Sequence, residues 1–192
     1  MAIVLLAAGN ARRFGSDKLM ADFEGAPLGS HAAHALIGIE SAAHVAVCQP
    51  KAAIAEQYAR LGFDIEENPY PDDGLSGSLH LAVEAAARTN AQALLVVLAD
   101  MPFVHASHID ALITACTDDV VASFDGDKPM PPAIFPLSYW PDLLATAGDA
   151  GARHILANAT RLAAPEGMLC DIDTPDELAA SKKSLHRIDG LQ

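Results

Sequence analysis

The chain has 192 residues, 51% hydrophobic and 19% charged, with 12 Lys+Arg against 25 Asp+Glu and a net charge of −13. That length fills one core but not two ordinary domains with a linker, and the composition is that of a compact globule rather than a disordered chain. So acidic a chain is a poor partner for nucleic acid or for an anionic membrane surface, both of which are bound through positive charge.

Met1–Ala7 is a continuous apolar run, the pattern of a strand covered on both faces, and similar runs recur at His44–Cys48, Phe63–Glu66, Ala93–Ala99 and Val120–Phe124. Ala-rich helical stretches lie between them at Pro27–Ile39, Ala52–Leu61, Ser78–Arg88 and Ser107–Cys116. This alternation predicts βαβ crossovers and a mostly parallel, Rossmann-like α/β sheet flanked by helices. Ser76 or Ser78 is the expected cap of the third helix, starting around Leu79. After residue 125 the rhythm changes: "GDKPMPPAIFP" holds four prolines, which suits an edge or irregular strand. Helical pieces follow at Ser138–Thr146 and Ala150–Asn158, then a short apolar segment and a last helix. For that helix Thr174 is the N-cap, Pro175 the first residue and Glu177 the capping-box acid. One domain is expected over residues 1–192, its rhythm changing at about residue 125.

No segment approaches the ~20 apolar residues of a membrane span, and the N-terminus lacks the basic flank and cleavage site of a secretory signal. Cys48, Cys116 and Cys170 form no CxxC and read as small buried hydrophobes in a reducing compartment, so the expected location is the cytoplasm. The histidine pairs His31/His34 and His105/His108 can each share a helix face, but no third ligand of HExxH or Cys/His type accompanies them. They read as solvated or core residues.

The loop after the first strand, "AAGNARRFGSDK", concentrates Arg12, Arg13 and Lys18 in a chain short of positive charge. In doubly wound sheets ligands sit beyond the carboxyl ends of the strands, where this loop lies. It fits neither GxGxxG nor the Walker A spacing. Ala7, Ala8 and Gly9 lack bulk and would let a base or sugar approach the backbone; Gly15 permits a turn back. Arg13 and Lys18 suit a polyphosphate, the first as a planar fork and the second as a mobile point charge. The alternative is a solvated turn with incidental charges.

Asp100 ends the run "ALLVVLAD", where a carboxylate needs compensation by a cation or hydrogen bonds. It either caps the following segment or binds magnesium, which takes carboxylate and phosphate oxygens. In "CDIDTPDEL", Asp171 and Asp173 lie two apart and point to the same side if the segment is extended. Asp176 and Glu177 are assigned to the helix start and its dipole.

"LAAGNARRFGSDK" resembles the signature LAAGxSxRxGxxK of the MobA-like nucleotidyltransferases, especially their molybdenum cofactor cytidylyltransferase branch, through Leu6, Ala7, Ala8, Gly9, Arg13, Gly15 and Lys18. Ala11 departs from it where a serine is usual. The resemblance, which extends with modest gaps over nearly the whole chain, implies a fold of the nucleotidyltransferase (GT-A-like) type. It also implies a loop that wraps a nucleoside triphosphate, with Arg13, Lys18 and Asp100 as catalytic groups. Mg2+ would be held by Asp100 and Asp173, with Asp171 a second ligand or a solvated acid. Gly74, Leu75 and Ser78 would line the base and ribose pocket. "PPAIFP" and "GDAGARHIL" would shape the acceptor side, where Arg153 either binds an acceptor phosphate or pairs with Asp149.

The implied reaction is transfer of CMP from CTP to the phosphate of molybdopterin or its metal-loaded form, releasing pyrophosphate, with a molybdoenzyme as a candidate recipient of the product. "LAAG" favours the pyrimidine-using branch over the guanylyl-transferring "LAGG" branch, because a side chain at Ala8 would shrink the base pocket. Two alternatives stand beside it. One is guanylyl or other nucleotidyl transfer to a different phosphorylated small molecule. The other is a non-catalytic chaperone that binds nucleotide or pterin.

Overall fold

A computed structural model of the chain describes residues 1–9, 14, 15, 17–70 and 74–189. Strand β1 (Ala2–Ala7) is buried along its whole length. Ala2, Val4 and Leu6 face one apolar cluster and Ile3, Leu5 and Ala7 face the other, the two-residue period of a strand with core on both sides. β4 (Ala43–Cys48) and β6 (Ala93–Leu98) flank it in parallel register, and β5 (Asp64–Glu67) extends the sheet beyond β4. On the far side of β6 lie β8 (Pro129–Pro136), β7 (Val121–Phe124) and β9 (Thr160–Ala163). The seven-stranded order is β5-β4-β1-β6-β8-β7-β9, with β8 antiparallel to both neighbours. β2 (Asp22–Phe23) and β3 (Ala26–Pro27) form a separate small hairpin.

Helix α3 (Leu75–Ala87) contributes Leu79, Ala82 and Val83 to the cluster on one face of the sheet. On the other face α1 (Leu28–Leu36), α2 (Ala55–Arg60) and α4 (Ala106–Ala115) place Leu36, Tyr58 and Leu112 in the second cluster. Short helices α5 (Trp140–Leu144) and α6 (Arg153–Leu156) follow β8, and α7 (Pro175–Asp189) ends the described chain. The α/β architecture with a mostly parallel sheet is therefore the one the sequence pattern predicts. Among the described residues no helix is long and apolar enough to cross a membrane.

Three expectations need correction. The proline-rich strand is irregular, but it is an interior strand and not an edge. Pro129 and Pro136 sit at the ends of its ladders, and Pro131 and Pro132 fall in the register shift opposite Ala122/Ser123, where no paired N–H is demanded. Helix α3 begins at Leu75, not near Leu79, and neither serine caps it. Its N-cap is Gly74, at φ 73°, ψ −159°, a conformation open essentially to glycine alone. Ser76 and Ser78 are both buried within the helix, and Ser78 Oγ accepts a hydrogen bond from Asn68 Nδ2. Of the cysteines only Cys48 is buried; Cys116 is half-buried and Cys170 exposed, because the last two stand at a helix end and in a loop.

Candidate active site

The carboxyl ends of the parallel strands define one rim. β1 ends at Ala7, β4 at Cys48, β5 at Glu67 and β6 at Leu98, and these ends are in register. Backbone bonds from Ala99 N–H to Leu6 O and from Asn68 N–H to Cys48 O carry the order one residue further. Gln49, directly after β4, donates from Nε2 to the carbonyls of Ala8 and Gly9 at 3.4 and 3.3 Å, which braces the start of the loop after β1.

Lys18 returns from that loop in a 3-10 turn (Lys18–Met20). Its ammonium donates to Asp100 Oδ2 at 2.7 Å and to Asp173 Oδ1 at 2.9 Å, with the lysine side chain about 10% exposed. Burial disfavours the ammonium, yet the two carboxylates outweigh it and hold the Lys18 pKa above its ordinary value. Asp100 is not a helix cap, since α4 starts only at Ala106 with His105 as its N-cap.

Asp173 reaches the rim through a second apolar layer. Ile172 is fully buried with Phe14, Phe23 and Leu28, and its N–H donates to Asp100 O at 3.1 Å. The backbone of the last motif is thus tied to the end of β6, and the residue after Ile172 emerges beside Lys18. The capping box of α7 fixes it further. Glu177 N–H donates to Thr174 Oγ1, while Glu177 Oε2 accepts from the N–H groups of both Thr174 and Asp173 at 2.8 Å. These backbone donors hold the Glu177 carboxyl below the usual carboxylate range. Asp171, on the other side of Ile172, has its pKa pushed up by partial burial and by the charges of Asp100 and Asp173.

Beside Asp171 opens a cavity of about 440 Å³ between the end of β7, the start of β8 and the loop after β9, lined by Asp125, Lys128, Met130, Glu166, Cys170 and Asp171. Arg153 lies at the start of α6, is exposed, and does not line this cavity. Gly74, Leu75 and Ser78 form the first turn of α3, and Leu75 packs closely against Gly151 of the segment before α6. Leu6 and Ala8 are buried in the cluster that holds Leu79, with Leu75 at its margin. Arg12, Arg13 and Ala11 lie outside the described residues.

Three of the four histidines in the two pairs serve the fold, and His105 is exposed. His31 Nε2 donates to Phe23 O, His34 Nδ1 to Ser30 O, and buried His108 bonds Ser123 Oγ. Among the described residues no three His, Cys, Asp or Glu side chains group as a self-contained metal cage. Reading the sequence missed Gln49 and Ile172 as braces of the rim. Their one signal is position: one residue past a strand, and the single apolar residue between two acids.

Residues 3–164 match the MobA-like NTP transferase domain. The chain belongs to the MobA-like family of nucleotidyltransferases. It is 28% identical over 198 residues to the purine catabolism protein PucB of Bacillus subtilis, a match covering 95% of this chain and 96% of that one. The same fold is seen in the nucleotidyl transferase Mth528 from Methanothermobacter, with TM-score 0.81, 18% identity and coverage of 97% and 98%. It recurs in a manganese complex of Rv0371C from Mycobacterium tuberculosis, with TM-score 0.74, 19% identity and coverage of 95% and 98%. For this MobA-like chain the rim at the carboxyl ends of β1 and β6 is therefore the place to look for nucleotide chemistry.

Proposed function

We propose that the protein transfers CMP from CTP to the phosphate of a molybdopterin-type acceptor in a Mg2+-dependent reaction that releases pyrophosphate. The observation that carries this reading is the meeting of Lys18, Asp100 and Asp173 at the strand ends, beside the small-residue loop.

The donor set suits magnesium: two carboxylates whose oxygens already share one cation, with no third acid, His or Cys grouped beside them among the described residues, so that phosphate and water oxygens would supply the rest. Asp100 and Asp173 would hold the ion, which when bound would neutralise phosphate charge. Arg13 and Lys18 would bind the triphosphate and stabilise charge on the leaving pyrophosphate. An acceptor phosphate oxygen attacks the α-phosphorus, the bond from that phosphorus to the bridging oxygen breaks, and the electron pair departs with pyrophosphate. Nucleotidyl transfer of this kind needs positioning and charge neutralisation rather than a covalent protein nucleophile.

Residues 1–125 supply the nucleotide side and residues 126–192 the acceptor side with the Asp173 motif. Leu6, Ala7, Ala8, Gly9, Gly74, Leu75 and Ser78 are assigned to the nucleotide. The preference for CTP is drawn from Ala8 of the loop after β1, which is buried in the apolar cluster to which α3 also contributes. Arg153 is a candidate for the acceptor phosphate.

The test is pyrophosphate release from each of CTP, GTP, ATP and UTP with Mg2+ and molybdopterin. Release with CTP in clear excess over the others is the expected result. Release with GTP instead replaces the cytidylyl assignment by a guanylyl one, and tight CTP binding with no release from any triphosphate leaves a non-catalytic binding protein.

A further inference from the structure

The lysine that the proposed mechanism directs at phosphate is, in the free protein, bound to both acids that the same mechanism assigns to the metal. Its ammonium is 2.7 Å from Asp100 Oδ2 and 2.9 Å from Asp173 Oδ1, in a pocket that leaves it about 10% exposed. An ion held by both carboxylates would need that same gap. An ammonium and a divalent cation cannot share it, because both the volume and the charge conflict. Building on the magnesium reading above, we infer that Lys18 is a resident placeholder cation, exchanged for the divalent ion only when triphosphate is present to receive the displaced ammonium.

Charge arithmetic gives the reason. Lys18 with Asp100 and Asp173 sums to −1, so the free trio repels an approaching polyanion. A divalent ion arriving alone must eject a mostly buried ammonium from two charge-assisted hydrogen bonds and leave it unpaired near a second positive charge, which is strongly unfavourable. With both ligands present the trio and the ion sum to +1, the ammonium finds phosphate oxygens, and no charge is stranded. Metal and nucleotide therefore bind cooperatively, each raising the affinity for the other by the same factor. The consequence is an enzyme that ignores free divalent ions and free nucleotide and responds to the two together.

The supporting frame does not have to move. Ile172 and its bond to Asp100 O, together with the Glu177 bonds to the Asp173 and Thr174 N–H groups, hold the two acids independently of Lys18. The flexible lysine stem is the part that swings.

The experiment measures Mn2+ binding by electron paramagnetic resonance and calorimetry, with and without CTP, in the wild type and in Lys18→Met. A second variant, Lys18→Gln, retains a donor and removes the charge, and is used if the apolar side chain impairs folding. Asp100→Asn and Asp173→Asn in each background report whether Mn2+ lands on these acids. The expected result is weak binding of Mn2+ alone to the wild type, tightened at least tenfold by CTP. In Lys18→Met, Mn2+ alone binds at least tenfold more tightly than it does to the wild type, and most of the coupling to CTP is gone. If the Asn variants abolish Mn2+ binding but the lysine variants bind it no better than wild type, the placeholder role is overturned while the metal assignment stands. If Mn2+ binding with CTP is indifferent to both Asn variants, the metal assignment itself fails and the exchange with it.

Discussion

A methyl group on Gly9 would meet no atom of the described residues beyond its chain neighbours within 4 Å, and the backbone there lies outside the left-handed region that favours glycine. Nothing in the packing of the described residues requires glycine at that position, whereas a ligand lying against the loop would. Gly29 is the opposite case: an added Cβ would stand 2.6 Å from Tyr58 Oη and 3.0 Å from Leu19 Cβ, and would displace the buried phenol that donates to Gly29 O. Gly9→Ala is therefore expected to leave the melting temperature unchanged and to weaken CTP binding in the presence of Mg2+. Gly29→Ala is expected to destabilise by about 1–3 kcal/mol, the range for overpacking a filled core. Paired thermal melts and calorimetric titrations check both. A drop in stability for Gly9→Ala with unchanged nucleotide affinity would make that glycine a folding residue.

At the scale of single elements, the start of α7 positions Asp173 as much as it begins a helix. Glu177→Ala removes the acceptor of two backbone N–H groups, one of them that of Asp173. It is expected to lower the melting temperature modestly and to loosen Asp173, lowering Mn2+ affinity measured with CTP. Glu177→Gln, which also completes a capping box, should recover most of both. Failure of Gln to restore Mn2+ binding while restoring stability would confine Glu177 to the helix. This capping box was legible in the sequence because its signals are local: Thr174, Pro175 and Glu177 lie within four residues. The parallel strands were legible for the same reason, through unbroken apolar runs. The interior placement of β8 was not, since local pattern reports that Pro131 and Pro132 are unfit for a regular ladder but says nothing of a bulge that frees them from one. Lys18, Asp100 and Asp173 were each singled out from position and resemblance. That the lysine is bonded to both acids depends on sequence separations of 82 and 155 residues and was visible only in three dimensions.

On the scale of the whole molecule, the two halves of the sheet are joined across β8, and one buried polar chain crosses that junction. His108 of α4 donates from Nε2 to Ser123 Oγ at 2.9 Å, and Ser123 Oγ donates to Pro132 O at 2.7 Å, linking helix, β7 and β8. The direction of both bonds requires a proton on His108 Nε2, because Ser123 has spent its own on the carbonyl. Burial first, and nearby His105 second, lowers the His108 pKa below its ordinary 6.5. The unfolded chain therefore takes up a proton near pH 6.5 that the folded protein accepts only at lower pH. Stability contributed by neutral His108 is complete above pH 6.5 and is lost as pH falls from there toward the folded-state pKa, since the unfolded state binds more protons across that window. Urea unfolding of wild type and His108→Gln at pH 7.5, 6.5 and 5.5 separates this from the general titration of carboxylates. The wild type is expected to lose stability more steeply than the variant below pH 6.5, with the difference bounded by about 1.4 kcal/mol per pH unit for a single proton. Parallel pH profiles for the two proteins would show that His108 titrates alike in both states and that its burial does not disfavour the charged ring.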